Sequence, residues 1–112
     1  MSTQPNPRRA LVTGGSGDIG GAICRQLATT GWHVIVHANA NLARARAVAD
    51  AIRESGGSAE AVAFDLTDGA ASAAAIDRLL EAGPIQMLVN NAGIHDDAPL
   101  AGMSDEQWRR GI

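Results

Sequence analysis

The chain has 112 residues, of which 46% are hydrophobic and 19% charged, and its formal net charge is -3. This length allows one domain with a modest core, and the composition is that of a globular protein rather than a disordered one. A weakly acidic chain lacks the excess of basic residues that attracts nucleic acid or an anionic membrane, so neither is predicted as a partner.

Neither the cysteine content nor the amino-terminal sequence indicates export. Cys24 is the only cysteine and falls on an apolar helical position, so we predict a small buried hydrophobic residue in a reducing compartment. Residues 1–9 are polar, and the apolar run that follows them is soon interrupted by glycines. We therefore predict no signal peptide, no membrane span and a cytoplasmic protein.

A strand, a glycine-rich turn and a helix open the chain. The strand is predicted over residues 10–13, and the helix over residues 19–30, where Ile19, Ala22, Ile23 and Leu27 recur at helical spacing. Gly31 follows as a C-terminal cap, and the β-rich run of residues 32–37 is predicted as the second strand.

The second helix begins with an N-cap and ends at two glycines. Asn41 is a favourable N-cap residue, and the sequence stops the helix at residues 56–57. The outer face of this helix carries charged residues that we interpret as a solvated surface with helical ion pairs. They are Arg44, Arg46, Asp50, Arg53 and Glu54.

The alternation then repeats with a third and a fourth strand. The third strand is predicted over residues 60–64, and the third helix over residues 69–82, with Ile76, Leu79 and Leu80 facing inward. Residues 85–89 are almost wholly apolar, as expected for a parallel strand that is covered on both faces.

A fourth helix and the overall topology complete the prediction. Ser104 and Gln107 have the spacing of a capping box and are predicted to open the helix. Crossovers too long for hairpins predict right-handed βαβ units. We therefore predict an α/β fold, the N-terminal half of a Rossmann-type doubly wound parallel sheet, with four strands in the order 3-2-1-4.

The turn after the first strand carries the strongest functional signal. A glycine-rich connection from strand to helix lets the backbone approach a pyrophosphate, which turn N–H groups and the helix dipole stabilise. Gly14 permits the tight turn, Ser16 offers a hydroxyl and an amide, and Gly20 lets helix and strand pack closely. The alternative is a glycine-rich loop without a ligand, and the position within a βαβ unit disfavours it.

Three motifs in this order and spacing carry a resemblance to a known family. They are residues 13–20 (Thr-Gly-Gly-Ser-Gly-Asp-Ile-Gly), residues 65–67 (Asp-Leu-Thr) and residues 90–93 (Asn-Asn-Ala-Gly). Over residues 9–112 the chain resembles the N-terminal half of the short-chain dehydrogenase/reductase family, and most of all its 3-oxoacyl-acyl-carrier-protein reductase branch. Asp18 replaces the middle glycine of the family pattern, and we expect its side chain to face solvent and cap the helix.

The resemblance implies a set of residues that contact a dinucleotide. It implies that Asp65 accepts a hydrogen bond from the adenine amino group with Leu66 beside the ring, although Asp65 could instead only cap the following turn. It also implies that Asn91 lies at the adenine ribose. The implied cofactor-binding residues are Gly14, Ser16, Gly17, Ile19, Asn39, Asp65, Leu66, Asn91, Ala92 and Gly93.

The sequence favours NADP over NAD as the cofactor. A site for NAD usually has an acidic residue after the second strand, whereas residues 36–41 (Val-His-Ala-Asn-Ala-Asn) contain none. Gly17 stands where many NADP-preferring relatives carry Arg or Lys, so this preference lacks one of its usual supports. The three histidines, His33, His37 and His95, have no metal-site spacing and are predicted to be surface or loop residues, so no metal is predicted.

No catalytic residue can be assigned in these 112 residues. The family reduces a carbonyl by hydride transfer from nicotinamide, using a Ser, a Tyr and a Lys, and the chain contains no Tyr and no Lys. The resemblance thus implies that residues 1–112 are the NAD(P)-binding half-domain of a reductase, truncated before its catalytic segment. The complete enzyme would be a homo-oligomer that acts on a carbonyl or acyl thioester in fatty acid biosynthesis. The alternatives are a stand-alone nucleotide-binding module with a regulatory or interaction role, and a nonfunctional truncation.

Overall fold

The computed structural model describes residues 8–91, in which strands and helices alternate. The strands are β1 (Arg9–Thr13), β2 (His33–Ala38), β3 (Ser58–Ala63) and β4 (Met87–Asn90), and the helices are α1 (Asp18–Thr29), α2 (Leu42–Glu54) and α3 (Gly69–Glu81). The strands form one parallel sheet in the order β3-β2-β1-β4. The predicted fold class and strand order are therefore confirmed, and the predicted fourth helix lies outside the described residues.

Local signals in the sequence set the helix boundaries. The side chain of Asn41 accepts a hydrogen bond from the Arg44 N–H at 3.2 Å, which makes it the predicted N-cap of α2. At the end of α1, Gly31 has a φ of 94°, and its N–H donates to the Ala28 carbonyl at 3.1 Å. This left-handed residue ends the helix and directs the chain into β2.

The core lies on both faces of the sheet. On one face, valines of β1 and β2 pack with Cys24 of α1 and Ile52 of α2, all of which are buried. On the other face, Leu11 and Ile35 pack with Leu79 of α3. The prediction of a buried Cys24 agrees with this arrangement. No helix of the described part is long and apolar enough to cross a membrane.

Two predictions of buried leucines are wrong. Leu80 is 45% exposed, because α3 turns a narrow stripe containing Ile76 and Leu79 to the sheet and Leu80 lies beside that stripe. Leu88 is 38% exposed, so the described residues do not fully cover the face of β4 on which it lies. The prediction of a strand covered on both faces is therefore not met within residues 8–91, where β4 is also an edge strand because β1 is its only neighbour.

Arg9 ends the polar segment of the sequence, yet its side chain is buried. Its guanidinium donates to the backbone carbonyls of Leu79, at 2.9 Å, and of Gly83. It also lies 3.4 Å from Glu60, which contacts the Nε2 atom of His33 at 2.8 Å. The end of α3 is in this way tied to the sheet by one side chain. His33 is half-buried at the start of β2, so the prediction of a surface or loop position is wrong for it.

Candidate cofactor site

The carboxyl ends of all four strands lie at one edge of the sheet, and the predicted site residues follow them. The glycine-rich turn follows β1, Asn39 follows β2, Asp65 follows β3 and Asn91 follows β4. In open α/β sheets, ligands bind outside this edge at the point where the strand order reverses. Here that point lies between β1 and β4, next to the turn.

Backbone hydrogen bonds shape the turn between β1 and α1. Gly14 has a φ of 67°, which favours glycine, and its carbonyl accepts from the Gly17 N–H at 3.2 Å. Gly17 is the N-cap of α1 and provides no side-chain bond to the helix. The first N–H groups of α1 therefore have no side-chain cap, which suits them to an anion.

Helix α1 packs directly against this turn at Gly20. A Cβ atom on Gly20 would lie 2.7 Å from the Gly15 Cα and 2.8 Å from the Asn91 Nδ2, and it would overlap the Gly14 carbonyl oxygen. Only a residue without a side chain fits there. This is the role that the sequence predicted for Gly20.

The two residues that precede Gly20 are both exposed. Asp18 is exposed as expected, but it is the first residue of α1 and Gly17 is the N-cap, so the predicted capping role is wrong. Ile19 is 61% exposed. An isoleucine that the helical spacing would assign to the apolar face thus lies at the surface, next to the uncapped end of α1.

The residues that follow β2 and β3 are joined by hydrogen bonds. The Asn39 Oδ1 accepts from the Leu66 N–H at 2.9 Å, and its Nδ2 lies 3.4 Å from the Asp65 Oδ1. The same Asp65 oxygen accepts from the hydroxyl and the N–H of Thr67, at 2.7 and 2.9 Å. The Thr67 hydroxyl, more than any other group, lowers the pKa of Asp65, which is exposed and ionised at neutral pH. These bonds all use Oδ1.

Asn91 connects the end of β4 to the turn. It is 9% exposed, and its Nδ2 donates to the Gly14 carbonyl at 3.2 Å. Its Oδ1 is buried and has no hydrogen-bond partner among residues 8–91. The Ala92 and Gly93 that the sequence assigned to the site lie outside the described residues.

His37 is buried inside the site, so the prediction of a surface or loop histidine is wrong for it. It is 0% exposed, and its ring stacks at a tilt on Phe64 with centroids 4.4 Å apart. The Gly14 N–H donates to Nδ1 at 3.0 Å, and Nε2 lies 2.8 Å from the Phe64 carbonyl. One signal could have revealed it: His37 lies within a strand that has a neighbour on each side, where a polar side chain needs partners.

An arginine of α2, Arg44, reaches the turn. The Nη2 atom of Arg44 lies 3.5 Å from the Ser16 carbonyl, and the side chain is exposed. A cation therefore lies beside the loop even though Gly17 provides none. Within residues 8–91, no group of three or more His, Cys, Asp or Glu could hold a metal ion, and His95 lies outside that range.

Comparisons with known proteins agree on one family. The family model described as short chain dehydrogenase matches residues 8–112. The 3-oxoacyl-[acyl-carrier-protein] reductase of Aggregatibacter actinomycetemcomitans is 37% identical over 101 residues, which cover 89% of this chain and 42% of that protein. The acetoacetyl-CoA reductase of an Acinetobacter species is 40% identical over 107 residues, covering 92% of this chain and 42% of the relative.

Solved structures show the same relationship. A gluconate 5-dehydrogenase from Burkholderia cenocepacia, crystallised with NADP and tartrate, superposes with a TM-score of 0.72 at 36% identity. The match covers 92% of this chain and 40% of that one. The chain thus spans about two fifths of the length of these three relatives.

Proposed function

The chain belongs to the short-chain dehydrogenase family, and on this basis we propose that it forms the adenosine-diphosphate half of an NAD(P) site in an oxidoreductase. The observation that carries the proposal is the turn after β1, where the uncapped end of α1 meets the carboxyl edge of the sheet. A nicotinamide dinucleotide bound there supplies hydride for reduction of a carbonyl. The chain's own residues bind and orient the cofactor.

Each predicted site residue receives a proposed role at this edge. Gly14, Ser16, Gly17 and Ile19 would surround the diphosphate, where the N–H groups of the helix end are free of side-chain caps. Around the adenosine, Asp65 keeps Oδ2 for the adenine amino group, because its bonds to Asn39 and Thr67 use Oδ1. Leu66 would lie beside the ring, and residues 91–93 beside the ribose.

We propose NADP as the preferred cofactor, with Arg44 as its selectivity residue. No acidic residue stands directly after β2, where Asn39 is found, so the 2′-phosphate of NADP meets no repulsion there. Arg44 lies at the turn and could pair with that phosphate. The Burkholderia structure was solved in complex with NADP, which supports the proposal for this chain.

Titration of NADP⁺ and NAD⁺ into Arg44→Gln tests this preference. We expect the variant to lose about tenfold in affinity for NADP⁺, the equivalent of one charge-assisted bond, and to bind NAD⁺ unchanged. Arg46→Gln is the matched control, because Arg46 is exposed on the same helix. Tighter binding of NAD⁺ than of NADP⁺ by the unmodified chain would contradict the proposal.

We propose 3-oxoacyl thioesters as the substrate class, and residues 1–112 as the cofactor half of a longer reductase. The two bacterial reductases support the substrate class, and the absence of Tyr and Lys from these residues supports the second proposal. A fusion of this chain to the C-terminal half of a related reductase, with its Ser, Tyr and Lys, should consume NADPH when acetoacetyl-CoA is added. The chain alone should not, since an acid positioned at the carbonyl is worth roughly 10²- to 10⁴-fold in rate. Equal turnover by the chain alone would refute the proposal that residues 1–112 bind the cofactor and lack the catalytic residues.

A further inference from the structure

His37 is held in a single protonation state by its two hydrogen-bond partners. The Phe64 carbonyl can only accept, so the Nε2 atom of His37, 2.8 Å away, must carry a proton. The Gly14 N–H can only donate, so Nδ1, 3.0 Å away, must be unprotonated. The network therefore assigns the neutral ring with its proton on Nε2.

The bond to His37 fixes the peptide unit between Thr13 and Gly14, and bonds to the Gly14 carbonyl fix the next unit, between Gly14 and Gly15. The N–H of Gly14 is held by the imidazole, while its carbonyl accepts from the Gly17 N–H and from the Asn91 amide, both at 3.2 Å. A second proton on Nδ1 would place two N–H donors face to face. Protonation would thus replace an attraction with a repulsion at the residue whose φ of 67° sets the turn.

We propose that neutral His37 is a positioning residue that holds the glycine-rich turn in its binding shape, so that protonation of the ring loosens the turn and weakens binding of the cofactor's diphosphate. This inference rests on the proposed function of the turn. It makes cofactor affinity depend on pH through a side chain that itself contacts no cofactor.

The surroundings of His37 favour the neutral ring. Burial lowers the pKa of His37 below its usual 6.5, and the backbone bond to Phe64 opposes this. The charged residues on the elements around it are Arg9 on β1, Asp18 and Arg25 on α1, Arg44, Arg46, Asp50, Arg53 and Glu54 on α2, Glu60 on β3 and Asp65 after it, and Asp77, Arg78 and Glu81 on α3. The turn is therefore intact at neutral pH and is lost on acidification.

Two amide variants each preserve one of the two hydrogen bonds that the His37 ring makes. In His37→Asn, the side-chain oxygen stands near the position of Nδ1 and can accept from the Gly14 N–H, but it takes up no proton in this pH range. In His37→Gln, the amide nitrogen stands near the position of Nε2 and can serve the Phe64 carbonyl, which leaves the turn without its acceptor. The pair thus distinguishes a positioning role from general support of the core.

The probe is ADP-ribose, titrated by calorimetry between about pH 5 and pH 8. Its diphosphate remains ionised over this range, whereas the 2′-phosphate of NADP itself titrates at about pH 6. We expect the unmodified chain to lose about tenfold or more in affinity on acidification and the Asn variant to keep a flat profile. The Gln variant should bind weakly at every pH. Circular dichroism at each pH restricts the comparison to folded protein.

NMR of the unmodified, ligand-free chain supplies a second measurement that does not depend on binding or on a variant folding. The Gly14 amide and the His37 ring nitrogens should titrate with one common midpoint. A Gly14 amide that does not follow the ring, or an Asn variant with the same acid loss as the unmodified chain, would overturn the inference. Absence of ADP-ribose binding at every pH would instead refute the proposed function, and the NMR titration would still decide the role of His37.

Discussion

Adding one methyl group at Gly20 should disrupt the contact between α1 and the turn. The new Cβ would meet backbone atoms of Gly14 and Gly15, which cannot rotate away as the end of a side chain can. The neighbouring Gly21→Ala is a matched control, because the nearest atoms to its Cβ lie at 3.6 Å. Both changes gain about 1 kcal/mol of helix propensity, so their difference isolates the clash.

The expected difference follows from typical costs of overpacking. Forcing a methyl group into a packed site costs about 1–3 kcal/mol, and displacement of the Asn91 amide, 2.8 Å from the new Cβ, adds a lost hydrogen bond of about 1 kcal/mol. Gly20→Ala should therefore be about 3 kcal/mol less stable than Gly21→Ala. For a chain of this size that is a difference in Tm of roughly 15 °C.

Thermal unfolding followed by far-UV circular dichroism measures this difference, and ADP-ribose titration shows whether the turn is also distorted. Gly20→Ala should lose affinity even at temperatures where it is folded. If the two variants melt within about 3 °C of each other, the close contact is not a feature of the folded chain and the reasoning fails.

Three further outcomes can be measured on the same chain. Arg9→Met should lower the free energy of unfolding in urea by about 2–3 kcal/mol, because buried carbonyls lose their hydrogen-bond donor. The control Arg46→Met, at an exposed position, should change it by less than about 0.5 kcal/mol. Equal effects of the two variants would contradict the buried network. Cys24, whose pKa burial raises to about 12, should resist iodoacetamide at pH 8 until urea is added, and rapid labelling of the folded chain would show that it is not buried. Because the pKa of His37 is lowered in the folded state, the unfolded chain binds its proton first, and stability should fall below about pH 6.5 by up to about 1.4 kcal/mol per pH unit. His37→Asn should lack that loss, and an identical pH dependence in the variant would assign it to other groups.

The parts of the structure that the sequence predicted are those controlled by local rules. The Asn41 cap, the end of α1 at Gly31 and the tight turn at Gly14 each depend on a few neighbouring residues, and the structure has all three. The parallel sheet follows from the βαβ crossovers, and its strand order is that of the first half of a doubly wound fold. Neither kind of inference needs knowledge of distant partners.

The sequence did not reveal side chains whose partners are far away along the chain. Arg9 bonds a carbonyl 70 residues later, and His37 bonds Gly14, 23 residues earlier. Polar residues at strand ends are usually solvated, so their types alone did not reveal burial. The prediction for Leu80 was wrong for a different reason. Helical periodicity defines an apolar stripe only to within one position at its edge, and Leu80 lies at that edge.

The central position of β1 has a consequence for the order in which the chain folds as it is synthesised. Its pairing with β2 starts between Arg9 and His33, but Arg9 meets Gln86, which lies just before β4, across a separation of 77 residues. At about 5–20 residues per second, the ribosome needs roughly 4–15 s to make that stretch, and roughly 1–5 s of this time passes between the end of β3 and the end of β4. Secondary structure forms in microseconds, so β1, β2 and β3 can assemble long before β4 is available. During that shorter interval β1 is a free apolar edge of the three-stranded nascent sheet, and an unpaired edge of this kind favours aggregation.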